Sequence, residues 1–267
     1  MESIAKMKVI KRTNVPRSAE ALPMKELFTR KIDNVKKQTI HKSRFVVRGD
    51  LQQEKPLESY APVISQEAVR TFLTKVVQED LKLMQADIST AFLYGRNPCT
   101  LYLRLPEGHP ERNTSVWMTN SSVYGLTNAP LIWFKTLTEY LEENGFIQEL
   151  TEPCLMKKLD VEKTYIAIYV DDLLYASNSE TRLKELENLL RAKFNLKTTN
   201  EVKEYLGMKI KRHQGVIQLS QIKKINKIAT SIGSNELREV ETPLANNIFE
   251  RENDVPANKK QYQALVG

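Results

Sequence analysis

Residues 164–177 read TYIAIYVDDLLYAS, two β-branched and aromatic runs folded about the pair Asp171–Asp172. Both runs have the composition of strand interiors, so the stretch predicts a β-hairpin with the two acids at its tip. An Asp-Asp pair in a hairpin is ordinarily turn chemistry, because aspartate tolerates the backbone angles of a tight turn. Here the flanks argue for more. Ile166 to Val170 lead in and Leu173 to Tyr175 lead out, so the acids sit between runs suited to burial. By strand alternation Asp171 should share a face with Tyr169 and Ala167.

A third acid belongs with this pair. LKLMQADI (81–88) alternates as a strand, with Leu83, Gln85 and Asp87 on one side and Met84, Ala86 and Ile88 on the other. Asp87 then ends a strand, as Asp171 and Asp172 cap a hairpin. Carboxylates gathered at the ends of central strands repel one another unless cations neutralise them. Mg²⁺ suits such a site, since it is held by a few carboxylates completed by substrate phosphates. Two such ions can activate an attacking oxygen and stabilise a leaving one in phosphoryl transfer.

The rest of the chain supplies a scaffold for these acids. Residues 1–25 are basic and weakly patterned, and read as an N-terminal arm or a partial element. From 26 to 49, short apolar pieces flank a lysine-rich turn around Asp33–Lys37, the pattern of a basic hairpin. Ser65 is placed to cap a helix whose apolar residues Ala68, Val69, Phe72, Leu73, Val76 and Val77 recur at helical spacing. LYLRL (101–105) reads as another strand. Pro130 opens a helix with Trp133, Leu137, Tyr140 and Leu141 on one stripe, and Gly145 stops it. Residues 179–194 predict an amphipathic helix, 208–220 a hairpin turning near Gly215, and 221–232 a short basic helix. Helices and hairpins interleave, which favours an antiparallel α+β fold over a doubly wound parallel sheet.

Composition removes several classes. With 267 residues and 41% apolar content, the chain can bury one or two real cores. No apolar run approaches the ~20 residues of a membrane span, and MESIAKMKVIKR lacks a signal-peptide core. Cys99 and Cys154 are too few for a disulfide framework, and with three scattered histidines they make no zinc site. A reduced intracellular protein is expected, cytoplasmic or nuclear and neither secreted nor bound to membrane. The overall charge of +7 is uneven: residues 1–60 carry +7, 61–190 carry −6, 191–230 carry +8 and 231–267 carry −2. Basic blocks around an acidic middle suit a protein that grips a polyanion at its flanks and keeps carboxylates in the centre.

Eight pieces then fall into a known order: HKSRFVVRGDLQQ (41–53), YAPVISQEAVRTFL (60–73), QADISTAFLYG (85–95), LYLRLPEG (101–108), SVYGLTNAPLIWF (122–134), YVDDLL (169–174), EYLGMKI (204–210) and GVIQLSQ (215–221). Together they resemble the reverse transcriptase of copia-type LTR retrotransposons, a part of the Pol polyprotein. The resemblance implies a right-handed polymerase, with fingers and palm over 26–230 and the start of a thumb and connection over 231–267. It implies an RNA-directed DNA polymerase that binds an RNA or DNA template with its primer and deoxynucleoside triphosphates. Two Mg²⁺ ions, with Mn²⁺ as a substitute, would serve nucleotidyl transfer onto the primer 3′-hydroxyl; in a virus-like particle this would be cytoplasmic.

By the same resemblance Asp87, Asp171 and Asp172 are the acidic metal-binding and catalytic residues. Phe92 matches the steric gate that packs against the sugar and favours deoxynucleotides. Arg44 and Lys31 match fingers residues that contact the incoming phosphates; the planar fork of Arg44 can hold two phosphate oxygens at once. Asn128 stands where the family usually has a glutamine at the nucleotide, and Thr127 where it has a lysine. Leu206–Gly207 and the hairpin after it match the region that positions the primer end. Within the basic block, Lys209, Lys211, Lys223 and Lys224 would touch duplex phosphates rather than read bases. The shortened RNPC (96–99) and the missing tryptophan before the first strand also depart from the pattern. YQALVG (262–267) resembles the opening of a segment leading to the connection and RNase H domains. These departures keep a second function open, an inactive remnant that at most binds nucleic acid.

Overall fold

Apolar residues on both faces of the 164–177 hairpin place it in the middle of a sheet rather than at an edge. Its strands, β9 (Thr164–Tyr169) and β10 (Asp172–Ser177), are buried at every position except the two nearest the turn. The structure, a computed structural model, describes residues 10–14, 19–33, 38–53, 56–232 and 258–266. The chain divides into two compact units, Met1–Val202 and Lys203–Gly267.

In the first unit β9 and β10 lie inside a six-stranded antiparallel sheet. Its other strands are β4 (Lys82–Ile88), β7 (Ile147–Gln148), β8 (Leu155–Lys158) and β11 (Leu196–Thr199), in the order β11-β4-β10-β9-β8-β7. Three helices attend it: α1 (Gln66–Gln78), α2 (Ala129–Glu143) and α3 (Glu180–Lys193). Each starts for a local reason. Ser65 caps α1 by accepting from the Ala68 N–H and Ser179 caps α3 by accepting from the Arg182 N–H, while Pro130 sits in the first turn of α2. Trp133 of α2 and Phe194 after α3 meet edge to face with ring centroids 5.3 Å apart.

A second sheet carries the basic hairpin expected over 26–49. β2 (Ala21–Asp33) and β3 (Gln38–Val47) pair in register from Met24↔Val47 to Asp33↔Gln38. They join β1 (Lys11–Thr13), β5 (Arg96–Arg104) and β6 (Val116–Ser121) in the order β1-β6-β5-β2-β3. Met24, Phe45, Leu103, Trp117 and Leu126 belong to its core. The β2–β5 pairing is parallel, an exception to the antiparallel layout. Residues 11–13, within the stretch expected to be an arm or partial element, pair with Val116–Met118. The centre of the predicted lysine-rich turn, 34–37, lies outside the described residues.

The second unit holds a three-stranded meander, β12 (Glu204–Tyr205), β13 (Met208–His213) and β14 (Val216–Ser220), followed by α4 (Ile222–Ile232) and α5 (Lys259–Val266). Gln214 and Gly215 both have positive φ, the backbone of a two-residue hairpin turn. Most of 231–267 lies outside the described residues. No described helix is long and apolar enough to cross a membrane.

Candidate active site

β4 and β10 pair antiparallel with Asp87 directly opposite Asp172. Residues opposite each other in a ladder project from the same face, so these two carboxylates share a side of the sheet. The turn differs by one residue from the expected Asp171–Asp172 tip. Asp172 pairs with Tyr169, leaving Val170 and Asp171 as a two-residue loop. Asp172, not Asp171, therefore shares a face with Tyr169 and Ala167. Val170 adopts φ +54°, a conformation that a β-branched residue rarely takes and that the surroundings must enforce. Two hydrogen bonds do so: the Ile88 N–H donates to the Asp171 carbonyl at 2.8 Å, and the Trp133 Nε1–H donates to the Val170 carbonyl at 2.6 Å. The loop is thereby held to the end of β4.

Asp87 and Asp171 open into one cleft of about 600 Å³. One wall is β3 from His41 to Phe45, which contributes Arg44; another is Asn195 and Lys197 at the start of β11. Burial, reinforced by Asp87, raises the pKa of Asp171; a backbone hydrogen bond and Arg44 oppose the rise. Asp172 is raised first by burial and then by Asp171 and Asp87, against a side-chain hydrogen bond from Gln85. These are carboxylates short of positive charge. Among the described residues no three His, Cys, Asp or Glu side chains are arranged to hold a metal ion by themselves. Asp87 and Asp171 on one polar cleft nevertheless fit a hard cation whose remaining ligands are water and phosphate oxygens.

The other expected residues divide. Arg44 is exposed on β3 and reaches the cleft. Phe92, in a short 3-10 turn after β4, is half-buried and does not line the cleft; its ring lies 4.9 Å from that of Tyr124, which does. Asn128 is at the N-cap of α2 without a capping bond, its Oδ1 buried and unpartnered, and it is not on the cleft wall. Lys31 pairs through its backbone with Ile40, but its side chain lies outside the described residues. In the second unit Lys209, Lys211 and Lys223 line a cavity of about 240 Å³; Lys223 also pairs with Glu204 at 2.8 Å, and Lys224 is exposed on α4.

Tyr124 and Lys197 are among the cleft residues that the sequence does not mark. The Tyr124 phenol is pushed up by burial and by Asp171 and Asp87, with Arg44 opposing, so it senses the same charges as the acids. Its signal is the glycine after it. Gly125 has φ +95°, and a Cβ there would lie 2.1 Å from the Val47 carbonyl oxygen. That close approach lets the Val47 N–H donate to the Tyr124 carbonyl at 2.7 Å and ties β3 to the turn bearing Tyr124.

A sequence profile of the family described as reverse transcriptase (RNA-dependent DNA polymerase) matches residues 7–246. The chain is 30% identical over 257 residues to the retrovirus-related Pol polyprotein from transposon TNT 1-94 of Nicotiana tabacum, covering 93% of this chain and 19% of that protein. It is 28% identical over 226 residues to the Pol polyprotein from transposon RE1 of Arabidopsis thaliana, covering 82% and 15%. A transposon Ty5-1 protein of Saccharomyces cerevisiae is 32% identical over 187 residues, covering 68% of this chain and 61% of that protein. The chain thus spans less than a fifth of the two plant polyproteins.

Proposed function

The chain belongs to the reverse transcriptase (RNA-dependent DNA polymerase) family, in its copia-type branch, and we propose that the cleft at Asp87 and Asp171 is where a primer 3′-hydroxyl is joined to an incoming deoxynucleotide. By family the protein is an RNA-directed DNA polymerase. What carries the reading of the cleft is one observation: two aspartates from separate strands open into the same space as Arg44. In this reading the six-stranded sheet is the palm and the five-stranded sheet the fingers, within 26–230; 231–267 begins the thumb and connection.

Each residue then has a task. Asp87 and Asp171, with Asp172 beside them, bind divalent cations and supply the negative charge those ions need. A pair of Mg²⁺ ions, or Mn²⁺ in their place, supplies Lewis-acid activation of the attacking oxygen and stabilisation of the leaving one. Arg44 forks onto phosphate oxygens of the nucleotide, and Lys31, four residues farther along the same hairpin, is placed with it as a second phosphate contact. Tyr124, which faces the cleft and is backed by the Phe92 ring, is the aromatic shelf on which we place the sugar, and Phe92 selects against a 2′-hydroxyl through the ring it supports. Lys209, Lys211, Lys223 and Lys224 neutralise phosphates of the template–primer duplex. Primer extension by the purified chain on an RNA template tests this reading. Template-dependent synthesis that stops on chelation of Mg²⁺ is expected; a folded protein that binds duplex but extends nothing would instead be an inactive remnant.

A further inference from the structure

The five-stranded sheet carries a cavity that the polymerase reading does not use. Its strands run in the order β1-β6-β5-β2-β3, and the catalytic cleft lies against β3 at one edge. Towards the opposite edge β1 stops at Thr13, β5 stops at Arg104 and β6 starts at Val116. A cavity of about 450 Å³ opens there, with Arg104, Arg112, Asn14, Asn113 and Ser115 on its wall and no carboxylate. The loop before β6 is fixed before any ligand arrives. The Arg112 N–H donates to the His109 carbonyl at 3.1 Å and the Ser115 N–H to the Glu111 carbonyl at 3.2 Å. Both acids of this loop are engaged: Glu111 pairs with Arg12 of β1 at 3.0 Å, and Glu107 lies 3.6 Å from Arg112. The Arg112 guanidinium also donates to the Leu105 carbonyl at 2.9 Å, which still leaves most of its five N–H groups unused. Arg104 is exposed and, among the described residues, has no salt-bridge or hydrogen-bond partner. The Ser115 Oγ is buried and also lacks a partner, a costly state for a hydroxyl unless something it can donate to comes to the cavity.

We propose that this cavity is a second, non-catalytic phosphate site, which takes a phosphodiester of a nucleic-acid strand lying outside the catalytic cleft. The guanidiniums of Arg104 and Arg112 are planar forks that match pairs of phosphate oxygens. The Ser115 hydroxyl and the amides of Asn14 and Asn113 supply further donors for phosphate or sugar oxygens. The volume is that of a site for a small organic group rather than a single ion, so it admits a sugar together with its phosphate. An extended polyanion fits better than an isolated acidic group, because β1 belongs to the first 60 residues, whose net charge is +7. Contacts of this kind go to the backbone of a strand and do not read its bases. A strand held both here and in the cleft is bound at two points, and it leaves only when both open.

The test is fluorescence anisotropy of a labelled single-stranded RNA with the full chain, in a salt series without Mg²⁺ or nucleotide. Neither metal nor turnover enters, so a protein that extends no primer leaves the test intact. Arg104→Gln should weaken binding at low salt by roughly three- to tenfold, the range of one charge-assisted contact. It should also flatten the slope of log affinity against log salt by about 0.7, one phosphate contact on a single strand. Arg104→Lys keeps the charge and should keep the slope. Ser115→Ala removes a hydroxyl that has no partner to lose in the free protein, so thermal stability should not fall. Its RNA binding should nevertheless weaken, by roughly two- to tenfold, at an unchanged slope. Equal affinity and slope in wild type and Arg104→Gln would overturn the proposal. So would an Arg104→Gln effect confined to calorimetric titration with inorganic phosphate or a free nucleotide, which would make the cavity a small-anion site. A loss confined to affinity for a glutamate-rich peptide would overturn it as well, by making the occupant an acidic protein segment.

Discussion

Asp171 and Asp172 are adjacent in the chain, yet one lies in the turn and the other begins a strand, and burial raises the pKa of both. A carboxyl with a folded pKa above its unfolded one keeps a proton that the unfolded chain has already released. Stability then falls as pH rises from the ordinary carboxylate range through the raised one, and nothing is lost below that window, where both states are protonated. In metal-free buffer, denaturation followed upward from about pH 4 should carry this decline as one contribution to the wild-type profile. The paired acids Asp50, Glu79 and Glu180, whose pKa values are lowered, contribute in the opposite direction. Asp172→Asn should flatten the decline and be the more stable protein at neutral pH; an identical pH dependence would mean that the acid is not strained. Phe92 tests the aromatic shelf. Loss of its ring from Tyr124 should cost roughly 1–3 kcal/mol, less than full burial would, because the side chain is only half-buried. If it also gates the sugar, Phe92→Ala should lower discrimination against ribonucleotides by at least about tenfold. Equal discrimination in a folded Phe92→Ala protein would leave the ring a packing role only.

At the scale of elements, the joint between β3 and the Tyr124 turn depends on a glycine that no side chain can replace. Gly125→Ala places a Cβ against the Val47 carbonyl and strains a φ of +95°. It should destabilise the protein by about 1–3 kcal/mol in chemical denaturation and raise the nucleotide KM as the wall moves. A silent Gly125→Ala would show that the two segments can part freely. The same scale shows what the sequence could reveal. Helices α1, α2 and α3 were legible because each has an apolar stripe and a start signal, and β4 and β10 because apolar alternation or long apolar runs mark them. β11 was not: LKTT is four residues long with no alternation to speak of, and its strand conformation comes from pairing with β4. That is why Lys197 escaped notice. The hairpin tip slipped by one residue because local preference puts aspartates in the turn, while the Trp133 and Ile88 hydrogen bonds hold Val170 there instead. Tyr124 was hidden for a related reason, since the approach of Gly125 to β3 is a tertiary event.

Over the whole molecule the charge is divided, with a basic hairpin in the first unit and a basic meander and helix in the second. If both contact a duplex, log affinity should fall linearly with log salt, by roughly 0.9 per phosphate neutralised on a B-form duplex. Replacing Lys209, Lys211, Lys223 and Lys224 together with Gln should flatten the slope. Lys223 is already paired with Glu204, so the change should be nearer to three contacts than four, roughly 2.7 by the same relation. A salt titration with labelled RNA–DNA duplex measures it, and an unchanged slope would reduce the block to a solvated face.

Whether Asp171 and Asp87 make one catalytic centre is read from single-nucleotide incorporation on a primed RNA template by wild type and Asp171→Asn. Both proteins would first be shown to share a circular dichroism spectrum and template–primer affinity. Asp171→Asn should lose on the order of a thousandfold or more in incorporation rate, as expected when charge stabilisation at a reacting phosphate is removed. A rate within about twofold of the wild type would contradict it.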